Sequence, residues 1–205
     1  MMQKIKNIIF DLGGVFLDID FQRTEIAFKN LGLANFKKFF SQHTASPLFE
    51  DLETGKITDE VFYSRFRHQT GKNFTDQQIE VAWNALLGTF PAERLVWLQD
   101  IRQRYKIYLF SNTNHIHLMA FQKIYQQCSG GESFDDNFIR SYYSHEFGLR
   151  KPYPESFIRL MELENLQPGE TLFIDDTIGN IDGAQQAGLQ TILLISPKTL
   201  PDLDL

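Results

Sequence analysis

Four groups of polar residues in this chain have types and positions that suit a single kind of chemistry. Asp11 follows Ile8-Ile9-Phe10, Ser111 follows Ile107-Tyr108-Leu109-Phe110, and Asp175-Asp176 follow Leu172-Phe173-Ile174. If those apolar runs are strands of one open sheet, their carboxyl ends face a common crevice, which is where such sheets bind ligands. Asp11 then supplies a carboxylate nucleophile, Ser111 a hydroxyl able to hold a phosphate oxygen, and Asp175 and Asp176 oxygens for a hard cation. The set calls for a divalent cation such as Mg2+, because a carboxylate approaching a phosphate dianion brings like charges together. Lys151 joins from the loop Gly148-Leu149-Arg150-Lys151-Pro152-Tyr153-Pro154, which its prolines stiffen. Its ammonium could pair with Asp11 and with a phosphate. Gly13 and Gly14 supply a tight turn after the nucleophile, and the same turn suits a phosphate site.

The elements that must position these residues can be read from periodicity. The segments 4–10, 106–110, 171–174 and 189–195 are short and nearly continuously apolar, as parallel strands buried on both faces are. Helical spacing runs from about Pro91 to Arg104, through Leu95, Leu98 and Ile101, and from about Glu155 to Glu164, through Phe157, Leu160 and Met161. Strands alternating with helices predict an α/β, doubly wound, Rossmann-like parallel sheet.

Residues 20–90 break the alternation, with repeated helical periodicity and no convincing strand, and predict a helical insertion after the first strand. The core is therefore expected to comprise residues 1–19 and 91–205. Within the insertion, Thr75 with Gln78 predicts a capping box with a staple between Phe74 and Ile79. Thr58 followed by Asp59 and Glu60 predicts a second helix start. Gly32, Gly55, Gly71 and Gly88 divide the segment into about four helices.

Composition narrows the function classes. A length of 205 residues suits a core with an insertion. The formal charge of −6 and the lack of a basic run argue against nucleic acid as a partner. No stretch approaches the roughly 20 apolar residues of a spanning helix, and the N-terminus lacks a secretory pattern, so a cytoplasmic protein off the membrane is expected. Cys128 is the only cysteine, which rules out an internal disulfide or a cysteine-rich zinc site. The 19 phenylalanines, clustered at Phe36, Phe39, Phe40 and at Phe62, Phe66, read as core of the insertion. His43, His68, His115, His117 and His145 lack metal-ligand spacing and read as surface or cap positions. Asp18 and Asp20 read as turn and cap acids, or as one group that touches substrate.

The segments Asp11-Leu12-Gly13-Gly14-Val15, Ser111-Asn112, Lys151-Pro152 and Asp175-Asp176 with Asn180, Gly183, Ala184 and Gly188 resemble the four motifs of the haloacid dehalogenase-like hydrolase superfamily, in order and across the whole chain. The insertion is similar to that superfamily's helical cap of the first class. More narrowly, Asp11 to Phe21, Ser111-Asn112-Thr113-Asn114 and Arg150-Lys151-Pro152 resemble the bacterial α-D-glucose-1-phosphate phosphatase subgroup. The resemblance implies a Mg2+-dependent phosphatase of a small phosphorylated metabolite, with a sugar phosphate such as α-D-glucose 1-phosphate as candidate, working through an aspartyl-phosphate. It implies catalytic roles for Asp11, Ser111 and Lys151. Gly14, Ser111, Asn112 and Lys151 would bind phosphate, and Asp11, the Gly13 carbonyl, Asp175 and Asp176 would hold the metal.

Gly13 departs from the pattern, since most phosphatases of this superfamily carry there an aspartate that serves as general acid and then base. Proton transfer of that kind is worth about 10²- to 10⁴-fold. Gly13 is thus the only support for an alternative, a catalytically impaired module that binds a sugar phosphate or a partner protein. A mutase would lack the same acid. A haloacid dehalogenase shares the nucleophile but has no use for a divalent cation, which Asp175-Asp176 argue against.

Overall fold

The computed structural model describes residues 4–41 and 44–205; the expectation for His43 lies outside them. Five parallel strands, β1 (Asn7–Phe10), β4 (Lys106–Ser111), β5 (Arg140–Tyr143), β6 (Thr171–Asp175) and β7 (Gln190–Leu193), form one sheet in the order β5-β4-β1-β6-β7. The apolar runs are continuous because both faces are covered, and the strand period of two sorts their side chains. Ile8, Phe10, Ile107, Leu109, Leu172 and Ile174 join one core with Leu98 and Ile101 of α5 (Ala92–Ile101) and Phe121 and Tyr125 of α6 (His115–Ser129). Ile9, Tyr108, Phe110 and Phe173 join a second with Phe157, Leu160 and Met161 of α8 (Pro154–Glu164) and Ile181 and Ala184 of α9 (Ile178–Gln186).

The helices between residues 20 and 90 are α1 (Phe21–Asn30), α2 (Pro47–Glu53), α3 (Asp59–Thr70) and α4 (Asp76–Asn84). Each starts where the sequence provides a cap or a proline. Asp20 accepts from Gln22 N at 2.9 Å, Pro47 opens α2, and Thr58 accepts from Val61 N at 3.4 Å. Thr75 and Gln78 make the reciprocal bonds of a capping box at 3.1 and 2.9 Å. The aromatic clusters form the centre of this layer: Phe28 stacks on Phe36 at 4.4 Å, and Phe49 meets Trp83 at 4.9 Å. These rings belong to the same continuous core as Phe10 and Ile174, so the insertion packs against one face of the sheet.

Two features differ from the sequence reading. The insertion contains a two-residue antiparallel pair, β2 (Phe40–Ser41) with β3 (Thr44–Ala45), too short to carry a period-two pattern. The sheet also has the edge strand β5, whose Arg140 and half-covered Ser141 break the apolar run by which the other strands announce themselves. Among the described residues no helix is long and apolar enough to cross a membrane.

The capping box at α4 gives a direct stability test. Thr75→Ala removes the side-chain acceptor and should cost about 1 kcal/mol, seen as a Tm lowered by roughly 2–4 °C in a chain of this size. An unchanged Tm would mean that α4 is held by its packed face alone.

Candidate active site

The sheet reverses its connections at β1, with β4 and β5 on one side and β6 and β7 on the other. Ligands bind at such a switch point, beyond the carboxyl ends of the strands. The register places Phe10 beside Leu109 and Ile174, so that Asp11, Ser111 and Asp175 emerge together, and the Asp11 amide donates to the Ile174 carbonyl at 2.9 Å.

Lys151 is at the centre, 1% exposed. Its ammonium donates to Asp11 Oδ1 at 2.6 Å and to Asp175 Oδ2 at 2.8 Å, and it sits 5.6 and 5.4 Å from the ring centres of Phe110 and Phe173. Burial alone would lower the ammonium's pKa, but the attraction and hydrogen bonds of the two carboxylates together outweigh it and hold the group above its ordinary value. Asp175 is fully buried and fully used. Asn180 Nδ2 reaches both its oxygens at 3.1 and 3.0 Å, and Thr177 N donates to Oδ1 at 2.8 Å. Asp176 Oδ1 accepts from the Thr177 hydroxyl at 3.0 Å.

Burial pushes the Asp11 carboxyl up to about 7, against the pull of Lys151 and with repulsion from Asp175 and Asp176 adding to the rise. Burial and then Asp175 also raise Asp176. Ligand oxygens of these three aspartates lie within 4.8 Å of one another. An all-oxygen set with three carboxylates and one ammonium fits Mg2+, a hard cation whose charge would offset what Lys151 leaves uncompensated.

The sequence Ser111-Asn112-Thr113-Asn114 has one task per residue. Ser111 lines the cavity above the aspartates. Asn112 clamps the Lys151 backbone, donating to its carbonyl and accepting from its amide, both at 2.9 Å. Thr113 is clasped by Ser144 of α7 (Ser144–Phe147) through two bonds of 2.9 Å. Asn114 caps α6 by accepting from His117 N at 3.0 Å.

Gly13 lines the cavity, whereas Gly14 does not. The Gly14 amide donates to the Leu17 carbonyl at 2.8 Å, so its contribution is room. Its φ is +73°, and a Cβ there would stand 2.1 Å from Asp176 Oδ2, which leaves glycine as the residue that fits. At Gly13 a Cβ would meet Ile19 Cγ1 at 3.1 Å. Ile19, a cavity residue, therefore presses against the place where an acid side chain at position 13 would begin.

The cavity holds about 710 Å³, within the usual size of small-molecule sites. Its walls include groups that the sequence reading did not assign to the site: Phe21, Glu50 and Glu53 from the insertion, with Phe40, read there as core, and Arg150 and His117 from the core domain. Glu53 Oε2 lies 3.0 Å from Arg150 Nη2, and burial, opposed by Arg150, raises the Glu53 carboxyl. The only local signal for this pair was the position of Arg150 beside Lys151. Asp18 and Asp20 are absent from the walls: Asp18 pairs with Arg94 at 3.0 Å and Asp20 caps α1. His115 is exposed and bonds Asp59 at 2.6 Å, but His117 is buried and His145 half-buried, rather than at the surface or cap positions expected of them.

The family model for haloacid dehalogenase-like hydrolases matches residues 5–188. The chain is 32% identical over 187 residues to a D-ribitol-5-phosphate phosphatase of Bacteroides thetaiotaomicron, covering 91% of this chain and 90% of that one. A haloacid dehalogenase-family enzyme of the same organism, solved as a magnesium complex, is 34% identical with a TM-score of 0.86 over 98% of both chains. Its complex with magnesium and inorganic phosphate gives 34% and 0.81 over 94% of this chain and 96% of that one. The L-2-haloacid dehalogenase of Xanthobacter autotrophicus shares the fold, at 18% identity and a TM-score of 0.61 over 93% and 77%.

The charge balance predicts how Lys151 and Mg2+ trade with one another. Lys151→Met leaves buried carboxylates unpaired and should cost roughly 3–5 kcal/mol in denaturant melts run with chelator, with part of that loss recovered in excess Mg2+. A deficit of the same size with and without Mg2+ would show that the ion does not take over the charge compensation that Lys151 provides.

Proposed function

We propose that this chain, which belongs to the haloacid dehalogenase-like hydrolase family, removes phosphate from small polyhydroxylated esters, the sugar and sugar-alcohol phosphates. It is a phosphoric monoester hydrolase that uses Mg2+. The observation that carries the reading is Lys151, buried between Asp11 and Asp175 beneath a cavity of metabolite size.

In this reading an Asp11 carboxylate oxygen attacks phosphorus, the ester P–O bond breaks, and the leaving oxygen departs as an alkoxide that takes a proton from solvent while Asp11 carries the phosphoryl group. Water then attacks phosphorus, the bond between Asp11 and phosphorus breaks, and phosphate leaves as the Asp11 carboxylate is restored and the water's proton passes to solvent. Asp175 and Asn112 hold Lys151, whose ammonium orients Asp11 and meets the phosphate charge as it moves. Ser111 and the Asn112 amide hold phosphate oxygens, and Asp11, Asp176 and the Gly13 carbonyl would hold Mg2+. Bound there, Mg2+ supplies positive charge against the carboxylates and the phosphate. Segment 20–90 acts as the cap that covers the cavity and restricts it to small substrates.

Two substrates are favoured by different observations. The Bacteroides relative points to D-ribitol 5-phosphate. Gly13 points to an ester whose oxygen leaves without a proton, because neither Asp18 nor Asp20 reaches the cavity to replace the acid. An anomeric oxygen leaves more readily than an ordinary alkoxide, which favours α-D-glucose 1-phosphate over glucose 6-phosphate.

A panel of phosphomonoesters with and without Mg2+ tests the function. Turnover should need Mg2+, and Asp11→Asn should lower kcat by at least 10³-fold, the order expected when a catalytic nucleophile is lost; full activity in chelator, or an active Asp11→Asn protein, would sink the reading.

The same panel tests the part played by Gly13. The parent should show a higher kcat/KM for glucose 1-phosphate than for glucose 6-phosphate, and Gly13→Asp, if Ile19 yields, should narrow the ratio. Equal values in the parent would remove the leaving-group argument and leave ribitol 5-phosphate as the candidate.

A further inference from the structure

His117 is on the first turn of α6, and its ring stacks on Trp83 at 4.5 Å, where the helical insertion meets the core. Its Nδ1 is 2.8 Å from Asn84 Oδ1, an oxygen that can only accept, so Nδ1 carries the proton and donates it. That fixes the tautomer, and Nε2 keeps its lone pair. Among the described residues Nε2 has no hydrogen-bond partner, yet it is not one of the buried polar atoms sealed off without one. The residue is 7% exposed and lines the large cavity, so its open edge faces that space. Burial also pushes the imidazole down to about 3, which keeps the ring neutral at physiological pH.

We propose that His117 is a specificity residue that accepts a hydrogen bond at Nε2 from a hydroxyl of the substrate's leaving group. A polar acceptor in a cavity that Leu86, Leu87 and Phe121 also line is left unpaired when a hydroxyl-free ester binds. It is satisfied when a sugar or alditol binds. A site built in this way discriminates by the cost of leaving its own polar atom bare. The same geometry excludes His117 as a substitute for the acid missing at Gly13: its one ring proton is committed to Asn84, and Nε2 has none to give. The assignment rests on the phosphatase reading above and adds to it the atom that reads the alcohol.

The experiment compares kcat/KM for a polyhydroxylated ester with that for phenyl phosphate, which lacks hydroxyls. The hydroxylated substrate is D-ribitol 5-phosphate or α-D-glucose 1-phosphate, whichever the parent turns over faster. The ratio of the two esters, followed from parent to variant, cancels their intrinsic reactivities. In His117→Phe, which retains a ring for Trp83, the ratio should fall roughly tenfold, the order of one hydrogen bond, chiefly through KM. In His117→Gln, whose side-chain oxygen can accept near the same place, the ratio should return to within about threefold of the parent, as one shared acceptor implies. Equal losses on both esters, or a Gln variant as poor as the Phe variant, would overturn the proposal and assign His117 to packing. A parent that hydrolyses phenyl phosphate but neither hydroxylated ester overturns it as well. If the parent hydrolyses none of them in Mg2+, the phosphatase reading itself fails.

Discussion

The buried ammonium of Lys151 is the constraint on which the site depends. A lysine 1% exposed is tolerable only if its charge is met, and Asp11 and Asp175 meet it at 2.6 and 2.8 Å. Satisfying Lys151 dictates much of what surrounds it. Asp175 must be held by Asn180 and Thr177, and the Lys151 backbone by Asn112. Asp11 is thereby fixed from a distance of 140 positions in the chain. Asp175 acts mainly through Lys151, because both its oxygens are engaged, whereas Asp176 has one oxygen outside the Thr177 bond and borders the cavity.

Close approach of backbone is the second requirement, and glycine meets it at two joints. A Cβ at Gly14 would strike the Asp176 carboxylate, and one at Gly183 would stand 1.8 Å from the Pro152 carbonyl. The first joint brings the turn after β1 against the turn after β6. The second sets α9 against the Lys151 loop. Both glycines therefore serve the meeting of Asp11, Lys151 and Asp176, although neither lines the cavity.

The parts legible in the sequence are those with a local signal. Strands β1, β4 and β6 were visible as apolar runs because both faces are buried, β7 at the half-covered edge was visible through Ile192-Leu193-Leu194, and Asp11, Ser111 and Asp175 could be placed because each directly follows or ends a strand. The starts of α3 and α4 were visible in Thr58 and Thr75, whose caps are local hydrogen bonds. Strand β5 was not, since Arg140 and Ser141 interrupt its short apolar run. The cavity walls were invisible for a different reason. Glu53 meets Arg150, and Asn84 meets His117, across the boundary between insertion and core, and no period or spacing encodes such pairings. His117 shows this best: its sequence neighbours are those of an ordinary helix start, and only the packing of Trp83 against it reveals a buried ring.

The same boundary explains how the site can be well formed with glycine at position 13. An aspartate at position 13 would have to share space with Ile19, which lies where the chain turns from the core into the insertion; Ile19 pairs with Leu87 at the other end of that insertion in an isolated bridge. With Gly13, Ile19 can lean in and line the cavity beside Leu86 and Leu87. An apolar stretch of wall thus stands beside Gly13. Apolar surroundings of this kind keep out water and strengthen the attraction between Lys151 and its carboxylates. They also make the remaining polar atoms of the wall count for more, because an acceptor among leucines and isoleucines is costly unless a ligand satisfies it. The cavity thus sets the charges of Asp11, Lys151 and Asp176 at its floor against walls that mix apolar side chains with the Glu53–Arg150 pair.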